Sequence, residues 1–207
     1  MESRRGDKLK DYLKDNFGYS TFRPGQLEII ETILAKKNVL SVMPTGAGKS
    51  LCYQFPAIYS NEKTIIISPL VALMDDQVAS LSQLGVSVSK IHSGLSRQEN
   101  IEQWKRFANG ESNILYLSPE RLMQPRMVET LKKFSIGLFV IDEAHCISKW
   151  GADFRPDYEE LSKLKDIFPG SVMAAFTATA DKATREDIVS QLSDKNFKTI
   201  VKGFDRP

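Results

Sequence analysis

The chain is built of short apolar runs that alternate with longer segments of mixed polarity. Several of the runs are rich in β-branched residues and are apolar at successive positions rather than at every second one. A strand that is apolar on both faces is typical of a parallel sheet covered by helices on both sides. We therefore predict strands at Val39–Val42, Thr64–Ser68, Val86–Ile91, Asn113–Leu117, Leu138–Ile141, Val172–Phe176 and Thr199–Val201.

The segments between these runs have helical spacing. Between Arg97 and Phe107, for example, Ile101, Trp104 and Phe107 fall on one face of a helix. The predicted helices are Gly25–Ala35, Lys49–Tyr59, Val71–Leu84, Ser96–Ala108, Gln124–Phe134, Tyr158–Phe168 and Asp181–Leu192. The alternation predicts an α/β domain with a doubly wound, mostly parallel sheet flanked by helices. Such sheets bind ligands beyond the carboxyl ends of their strands.

Composition narrows the class of protein without defining it. The 207 residues are 42% hydrophobic and 26% charged, as in an ordinary globular domain. The net charge of +2 means that any nucleic-acid partner must be met by a local patch. No apolar run approaches the roughly 18–20 residues of a membrane span, so no membrane partner is predicted. Cys52 and Cys146 lack the spacing of zinc ligands, and we expect them to be buried, reduced thiols.

A candidate phosphate-binding loop follows the first predicted strand. The segment from Met43 to Ser50 matches G-x-x-x-x-G-K-[ST], except that Met43 stands at the first glycine position. Gly46 and Gly48 permit a tight turn with inward N–H groups, and the following helix favours an anion at its N-terminus. A glycine-rich turn with an exposed lysine is the alternative, which the flanking strand and helix disfavour. The expected nucleotide-binding residues of this loop are Thr45, Gly46, Gly48, Lys49 and Ser50.

An acidic motif, Asp142-Glu-Ala-His145, follows the strand predicted at Leu138–Ile141. A carboxylate at the tip of a buried strand is costly unless a cation or donors lie nearby. With the phosphate loop, the motif predicts an ATP-hydrolysing site in which Ser50 and Asp142 hold Mg²⁺. Lys49 would contact the phosphates, Glu143 would orient or deprotonate the attacking water, and His145 would connect the site to neighbouring loops. Alone, the motif would fit an ordinary acidic loop.

These two motifs resemble the first RecA-like domain of a superfamily-two helicase, a P-loop NTPase fold. The segment from Phe17 to Gln26 narrows the resemblance, because it is similar to the adenine-binding motif of RecQ-family DNA helicases. The resemblance implies that Tyr19 stacks on adenine, that Arg23 lies beside the base, and that Gln26 hydrogen-bonds its edge. A glutamine amide can both donate and accept there. An aromatic cap on the following helix is the alternative for this segment.

Other segments resemble motifs with which this family contacts DNA or couples DNA to ATP. One begins at Ser68-Pro-Leu70, one lies at His92-Ser-Gly94, and one is Thr177-Ala-Thr179. Each also fits an ordinary turn, and their order after successive strands is what carries the resemblance. The residues implied in these segments are Ser68, Leu70, Ser93, Gly94, Thr177 and Thr179.

The segment after the acidic motif resembles the aromatic-rich loop of RecQ helicases. Trp150 and Phe154 offer faces for base stacking, and Arg155 can contact a phosphate or stack. Both aromatic residues could instead anchor a long loop to the core. The family usually has Gln where this chain has Lys149, and His where it has Ala152. These departures could favour backbone contacts and weaken the coupling between DNA and ATP.

The resemblance implies the motor domain of an ATP-dependent 3′-to-5′ DNA helicase, whose partner is single-stranded or partially duplex DNA. We expect residues 1–203 to form the first RecA-like domain and residues 204–207 to begin the linker to a second one. This fragment is expected to be a monomer, a poor ATPase and unable to unwind DNA. A cytoplasmic location is expected, nucleoid-associated in a bacterium and nuclear in a eukaryote. The alternatives are an RNA helicase of the DEAD/DEAH type and an ATP-binding nucleic-acid scaffold without catalysis.

Overall fold

All the predicted strands are present, and they lie in one sheet. The computed structural model describes residues 2–149, 153–192 and 197–202, with side chains from Gly6 onward. The strands are β1 (Asn38–Val42), β2 (Lys63–Ile67), β3 (Val88–Ile91), β4 (Ile114–Leu117), β5 (Ile136–Ile141), β6 (Val172–Thr177) and β7 (Phe197–Val201). Their order is β3-β4-β2-β5-β6-β1-β7, and every adjacent pair is parallel. The expected doubly wound parallel sheet is confirmed.

Helices cover both faces of the sheet. They are α1 (Glu2–Phe17), α2 (Gln26–Leu34), α3 (Lys49–Ser60), α4 (Val71–Gln83), α5 (Arg97–Ala108), α6 (Pro119–Leu122), α7 (Pro125–Leu131), α8 (Pro156–Glu159), α9 (Leu164–Ile167) and α10 (Lys182–Leu192). Two 3₁₀ helices, Ala144–Ile147 and Glu160–Lys163, lie among them. Among the described residues, no helix is long and apolar enough to cross a membrane.

Two apolar cores explain why the strands are apolar at successive positions. In β5, Phe139 and Ile141 pack into the core on one face of the sheet, whereas Leu138 and Val140 pack into the core on the other. Neighbouring strands divide their side chains in the same way. Each strand is therefore buried on both faces, as a parallel sheet between helical layers requires.

The register of the central strands brings three loops together at one edge. Val42, the last residue of β1, is opposite Thr177, the last residue of β6. The N–H of Met43 donates to the carbonyl of Thr177 at 3.0 Å. β5 lies on the other side of β6 and ends at Ile141, directly before the acidic motif. The phosphate loop, the acidic motif and Thr177 thus emerge from three adjacent strands.

Some predicted elements differ from the structure. Helix α1 was not predicted, although Leu9, Leu13 and Phe17 have the spacing of one helical face and are buried against α2 and α3. The single helix predicted at Tyr158–Phe168 is wrong, because α8, a 3₁₀ helix and α9 follow one another there. The short helix α6 was also missed. Gly25 lies before its helix, in the left-handed region at φ 85°.

Both cysteines are buried and free, as expected for reduced thiols. Burial raises the pKa of the Cys52 thiol to about 12. Burial also raises the pKa of Cys146 to about 11, against a smaller lowering by the nearby Arg155 guanidinium. Both thiols are therefore protonated and unreactive near neutral pH.

The packing of α1 can be tested by shortening Leu13, which is fully buried against the rest of the domain. We expect Leu13→Ala to lower the free energy of unfolding by about 2–5 kcal/mol, because it leaves a cavity in a packed core. Urea unfolding followed by circular dichroism would measure the loss. Lys14, the next residue, is exposed. Lys14→Ala is therefore the control and should change the free energy of unfolding by less than about 0.5 kcal/mol. Equal values for the two variants would contradict the packing of α1.

Candidate active site at the carboxyl edge of the sheet

The phosphate loop joins β1 to α3 through two glycines with positive φ. Gly46 has φ 82° and Gly48 has φ 80°, which are values that side chains rarely tolerate. A Cβ on Gly48 would also lie 2.4 Å from Nε2 of Gln26. Met43, which replaces the first glycine of the pattern, is buried and packs against Cys52. The departure at Met43 therefore adds to the core and leaves the turn around the two glycines intact.

Lys49 and Ser50 form the first turn of α3, with Gly48 as the preceding cap residue. The first N–H groups of a helix have no intrahelical acceptor, and the helix dipole adds a partial positive charge there. The exposed Thr45 lies in the same loop. Backbone N–H groups, a lysine and a hydroxyl are thus collected where an anion such as a phosphate would be stabilised.

Asp142 and Glu143 lie beside this loop. Nζ of Lys49 is 3.3 Å from Oδ1 of Asp142 and 3.3 Å from Oε1 of Glu143. Asp142 is only 1% exposed, and its Oδ1 also accepts the N–H of Glu143 at 3.0 Å. Burial raises the pKa of the Asp142 carboxyl, Lys49 opposes that shift, and Glu143 adds to it. A second cation beside Asp142 would therefore favour its ionised form.

The donor set suits Mg²⁺. Magnesium prefers oxygen ligands and is usually held by one or two protein groups together with substrate phosphates and water. Asp142 offers a carboxylate, and Ser50 offers a hydroxyl at the start of the neighbouring helix. Among the described residues, no group of three or more His, Cys, Asp or Glu could hold a metal by itself. The phosphates of a nucleotide would have to complete the coordination.

Glu143 has a strained backbone. Its φ of 52° lies in the left-handed region, which is uncommon for a residue other than glycine and costs about 1–3 kcal/mol. The conformation places the Glu143 carboxylate beside Lys49 and turns the chain into the 3₁₀ helix Ala144–Ile147. Strained residues of this kind cluster at functional sites, which makes Glu143 a candidate catalytic residue.

His145 connects the acidic motif to the end of β6. Its Nδ1 lies 2.8 Å from Oγ1 of Thr177 and 3.4 Å from Oε2 of Glu143. The Thr177 hydroxyl donates its proton to the carbonyl of Thr179 at 3.0 Å, so it accepts from Nδ1–H of His145. His145 therefore links the acidic motif to the Thr177–Thr179 segment.

The adenine motif is bonded directly to the phosphate loop. Gln26 accepts the N–H of Arg23 at 2.8 Å and donates to the carbonyl of Gly48 at 3.0 Å. The Arg23 guanidinium donates to the carbonyl of Gly46 at 2.5 Å. Nε2 of Gln26 also lies 3.5 Å from the carbonyl of Ala47, and the contact of Gln26 with adenine stays a prediction. These bonds join the segment around Tyr19 to the loop that would bind phosphate.

A cleft of about 410 Å³ lies between this motif and α4. Its size is within the usual range for a small-molecule site. Tyr19 lines the cleft and is 57% exposed, so its ring is free to stack on a base. The other site residues along it are Arg23, Gln26, Gly48 and Ser50. A larger groove of about 1180 Å³ lies at the amino end of the strands, near Gly137 and Ser171, and contains no predicted site residue.

The predicted DNA-side residues lie on loops that follow other strands at the same edge. Leu70 is 49% exposed and directly precedes α4. Ser93 and Gly94 are exposed, whereas Ser68 is buried and its hydroxyl has no partner among the described residues. The N–H of Gly94 donates to Nδ1 of His92, whose Nε2 contacts Asp75 on α4 at 3.2 Å. The loop that ends at Leu70 and the loop that contains Ser93 are thus both connected to α4.

The aromatic-rich loop is described in part. Phe154 is half-buried and Arg155 is exposed, whereas Trp150 and Ala152 lie outside the described residues. Nζ of Lys149 pairs with Oε1 of Glu159 at 2.5 Å and lies 6.0 Å from the Phe154 ring centre. Lys149, which stands where the family usually has glutamine, is therefore paired with a carboxylate of the same chain.

The sheet and the site define a P-loop NTPase domain of the RecA-like helicase type. A profile of the DEAD/DEAH box helicase family matches residues 23–188, and the chain belongs to that family. The chain is 43% identical over 195 residues to "ATP-dependent DNA helicase RecQ" of Haemophilus influenzae, covering 94% of this chain and 32% of that protein. The expected resemblance to RecQ helicases is confirmed.

Other similar proteins differ in the nucleic acid that their names state. "Probable ATP-dependent DNA helicase RecS" of Bacillus subtilis is 43% identical over 97% of this chain and 40% of its own length. "Putative ATP-dependent RNA helicase R290" of a mimivirus is 40% identical over 99% of this chain and 37% of its own length. A crystal structure of a hypothetical ATP-dependent RNA helicase from Sulfolobus tokodaii aligns with TM-score 0.72 at 17% identity, over 94% of this chain and 57% of that one. The chain spans 32% of the length of the RecQ relative and 40% of the length of the RecS relative.

The buried charge of Asp142 leads to a stability prediction. Because burial raises its pKa above the unfolded value, the ionised carboxylate costs folding free energy at neutral pH. That cost is absent at low pH and appears as the pH rises through the raised pKa. We expect Asp142→Asn to raise Tm at pH 7 without added nucleotide or metal, and the gain to shrink as the pH falls.

Thermal unfolding of wild type and Asp142→Asn, from pH 7 down to acidic pH, would measure the difference in Tm. Glu143→Gln, at a more exposed carboxylate, is the control and should give a smaller gain. A lower Tm for Asp142→Asn would mean that the attraction to Lys49 outweighs the cost of burial.

Proposed function

We propose that this chain is the ATP-binding motor domain of a 3′-to-5′ DNA helicase of the RecQ type. The observation that carries the proposal is the position of Lys49 between Asp142 and Glu143, next to a cleft lined by Tyr19. This arrangement supplies a cation for phosphates, a carboxylate for a metal and a second carboxylate for water. The similarity to RecQ helicases over nearly the whole chain supports DNA as the nucleic acid.

The chemistry that we propose is in-line attack of water on the γ-phosphate of ATP. The N–H groups at the start of α3 and the Lys49 ammonium would bind the phosphates. Ser50 and Asp142 would hold Mg²⁺, which supplies charge neutralisation when bound. Glu143 would orient the water or accept its proton, and Thr177 would keep His145 oriented beside Glu143.

The second RecA-like domain of a full-length protein is part of the proposal. In related phosphoryl transfers, an arginine supplied from outside the P-loop domain is worth about 10³–10⁵ in rate. We infer that residues 1–207 alone bind nucleotide weakly as a monomer, hydrolyse it slowly and do not unwind DNA. The linker that we predict at residues 204–207 lies outside the described residues. We further propose a cytoplasmic or nuclear location.

An RNA helicase is the second candidate, because a relative that is 40% identical bears that name. A scaffold without catalysis is less well supported, since Lys49, Asp142 and Glu143 are all present and in contact. Single-turnover phosphate release by wild type and Glu143→Gln would distinguish an enzyme from a scaffold. Release that is equal in both proteins and no faster than without protein would favour the scaffold.

Recognition of the base can be tested at Tyr19. We expect Tyr19→Ala to weaken the binding of ATP by about 5- to 150-fold, because stacking of a base on an aromatic ring is worth about 1–3 kcal/mol. The binding of inorganic triphosphate, which has no base, should not change. Competition against a fluorescent nucleotide would measure both affinities. Tyr59→Ala, at an exposed tyrosine outside the cleft, is the control. Equal losses for both ligands would remove Tyr19 from base recognition.

Binding of nucleic acid can be tested at the pair formed by Lys149 and Glu159. We expect Glu159→Gln to tighten binding of a single-stranded DNA oligonucleotide by up to about five-fold, because it frees Lys149 from an exposed ion pair worth about 0.2–1 kcal/mol. Glu160→Gln is the matched control, since it makes the same charge change at a pair with Lys163. Fluorescence anisotropy at several salt concentrations would measure both.

The outcomes of this binding assay separate the candidates. Few phosphate contacts are proposed, so the salt dependence should be shallow. Equal tightening in the two variants would exclude a specific role of Lys149. Competition that favours RNA over DNA of the same sequence would support the RNA helicase instead.

A further inference from the structure

A cluster of polar side chains lies between α3, α4 and β4, beneath the candidate active site. The hydroxyls of Tyr53 and Tyr116 both donate to Oε1 of Gln77, each at 2.9 Å. Nε2 of Gln54 donates to the Tyr116 hydroxyl at 3.2 Å. The two tyrosines are fully buried, and Gln77 lines the cleft beside Tyr19. The carboxamide oxygen of Gln77 on α4 therefore accepts a hydrogen bond from each of two buried phenols.

Tyr53 also faces the candidate metal ligand. Its hydroxyl oxygen lies 3.5 Å from Oδ2 of Asp142. The other oxygen of Asp142, Oδ1, faces Lys49 at 3.3 Å. The Tyr53 ring packs edge-on against Phe176 of β6, with ring centres 5.0 Å apart, so the phenol has a defined direction. The two oxygens of Asp142 thus face different neighbours, the phosphate loop on one side and Tyr53 on the other.

We propose that Tyr53 is a positioning residue for Asp142, and that its hydroxyl, shared between Gln77 and Asp142, connects α4 to the metal-binding carboxylate. The inference rests on the proposed function, in which Asp142 holds Mg²⁺. A phenol has one proton to donate, and both Oε1 of Gln77 and Oδ2 of Asp142 can accept it. A small displacement of α4 would therefore change how strongly Tyr53 bonds to Asp142.

α4 is placed to carry such a displacement. It begins directly after the exposed Leu70, and its Asp75 contacts both Lys90 and His92, next to the loop at Ser93. Both loops are proposed to contact nucleic acid. Gln77 lies on the same helix, two residues after Asp75. A shift of this one helix would reach the Asp142 carboxylate through one shared hydrogen bond. This route is separate from the contact between His145 and Thr177.

The size of the expected effect follows from metal sites in general. Groups that hydrogen-bond a ligating carboxylate orient it, and their loss typically weakens metal binding by about 10- to 100-fold. Tyr53→Phe removes the hydroxyl and keeps the ring. Tyr116→Phe is the matched control, because it removes the other phenol from the same Gln77 oxygen, and among the described residues the Tyr116 hydroxyl makes no direct hydrogen bond to Asp142. Gln77→Leu removes the competing acceptor and leaves the Tyr53 proton to Asp142.

The experiment measures binding of a fluorescent ATP analogue to residues 1–207, first in EDTA and then over a Mg²⁺ titration, with and without a single-stranded oligonucleotide. We expect Tyr53→Phe to raise the Mg²⁺ concentration for half-maximal binding by about 10-fold or more, with unchanged affinity in EDTA. Tyr116→Phe should match wild type. Gln77→Leu should bind Mg²⁺ at least as tightly as wild type. The oligonucleotide should shift the Mg²⁺ midpoint of wild type and Tyr116→Phe only.

Each outcome has a distinct meaning. A wild-type midpoint for Tyr53→Phe, or an equal change for Tyr116→Phe, would overturn the positioning role. Loss of affinity in EDTA as well would indicate general damage and would also count against it. A shift by the oligonucleotide that persists in Gln77→Leu would overturn the connection through α4, as would its absence in wild type. If wild type bound no nucleotide, the proposed function itself would fail.

Discussion

The ammonium of Lys49 joins the two parts of the candidate active site. It lies at the start of α3 and contacts the carboxylates of Asp142 and Glu143, which are more than ninety residues further along the chain. A carboxylate as buried as Asp142 would be very costly in an apolar interior without a nearby cation and backbone donors. The lysine therefore does two things with one charge. It offsets the charge of the two carboxylates at this edge of the sheet, and in the proposed function it binds the phosphates of the nucleotide.

The parallel sheet makes this contact possible. β5, β6 and β1 are adjacent and run in the same direction, so the residues that follow them meet at one edge. The phosphate loop can then turn tightly because Gly48 leaves room for the carboxamide of Gln26. Gln26 in turn holds the loop through the carbonyl of Gly48. The charge contact, the glycine and the glutamine form one arrangement, in which a side chain at Gly48 would displace the carboxamide of Gln26.

Much of this could be predicted from local patterns. The strands were predicted because successive apolar, β-branched residues need burial on both faces, which is a local requirement. Helix α1 was missed because charged residues surround Leu9, Leu13 and Phe17 in the sequence. The apolar face that these three residues form is buried only by packing against α2 and α3. The region Tyr158–Phe168 has helical spacing, yet the chain there forms three short turns of helix. The spacing of apolar residues does not show where packing against other elements interrupts a helix.

The sequence by itself determined the sheet, the phosphate loop and the acidic motif, because strand burial, glycine turns and strand-end carboxylates are set by residues close together in the chain. The tertiary structure decided which groups share a partner. No sequence pattern indicated that Tyr53 and Gln77 are partners, and their bond exists only because α3 and α4 pack against each other. The pairing of Lys149 with Glu159 likewise depends on how the loop after the acidic motif folds back. Hydrogen bonds and ion pairs require ångström-scale proximity, and no local pattern of residues specifies which distant side chains will have it.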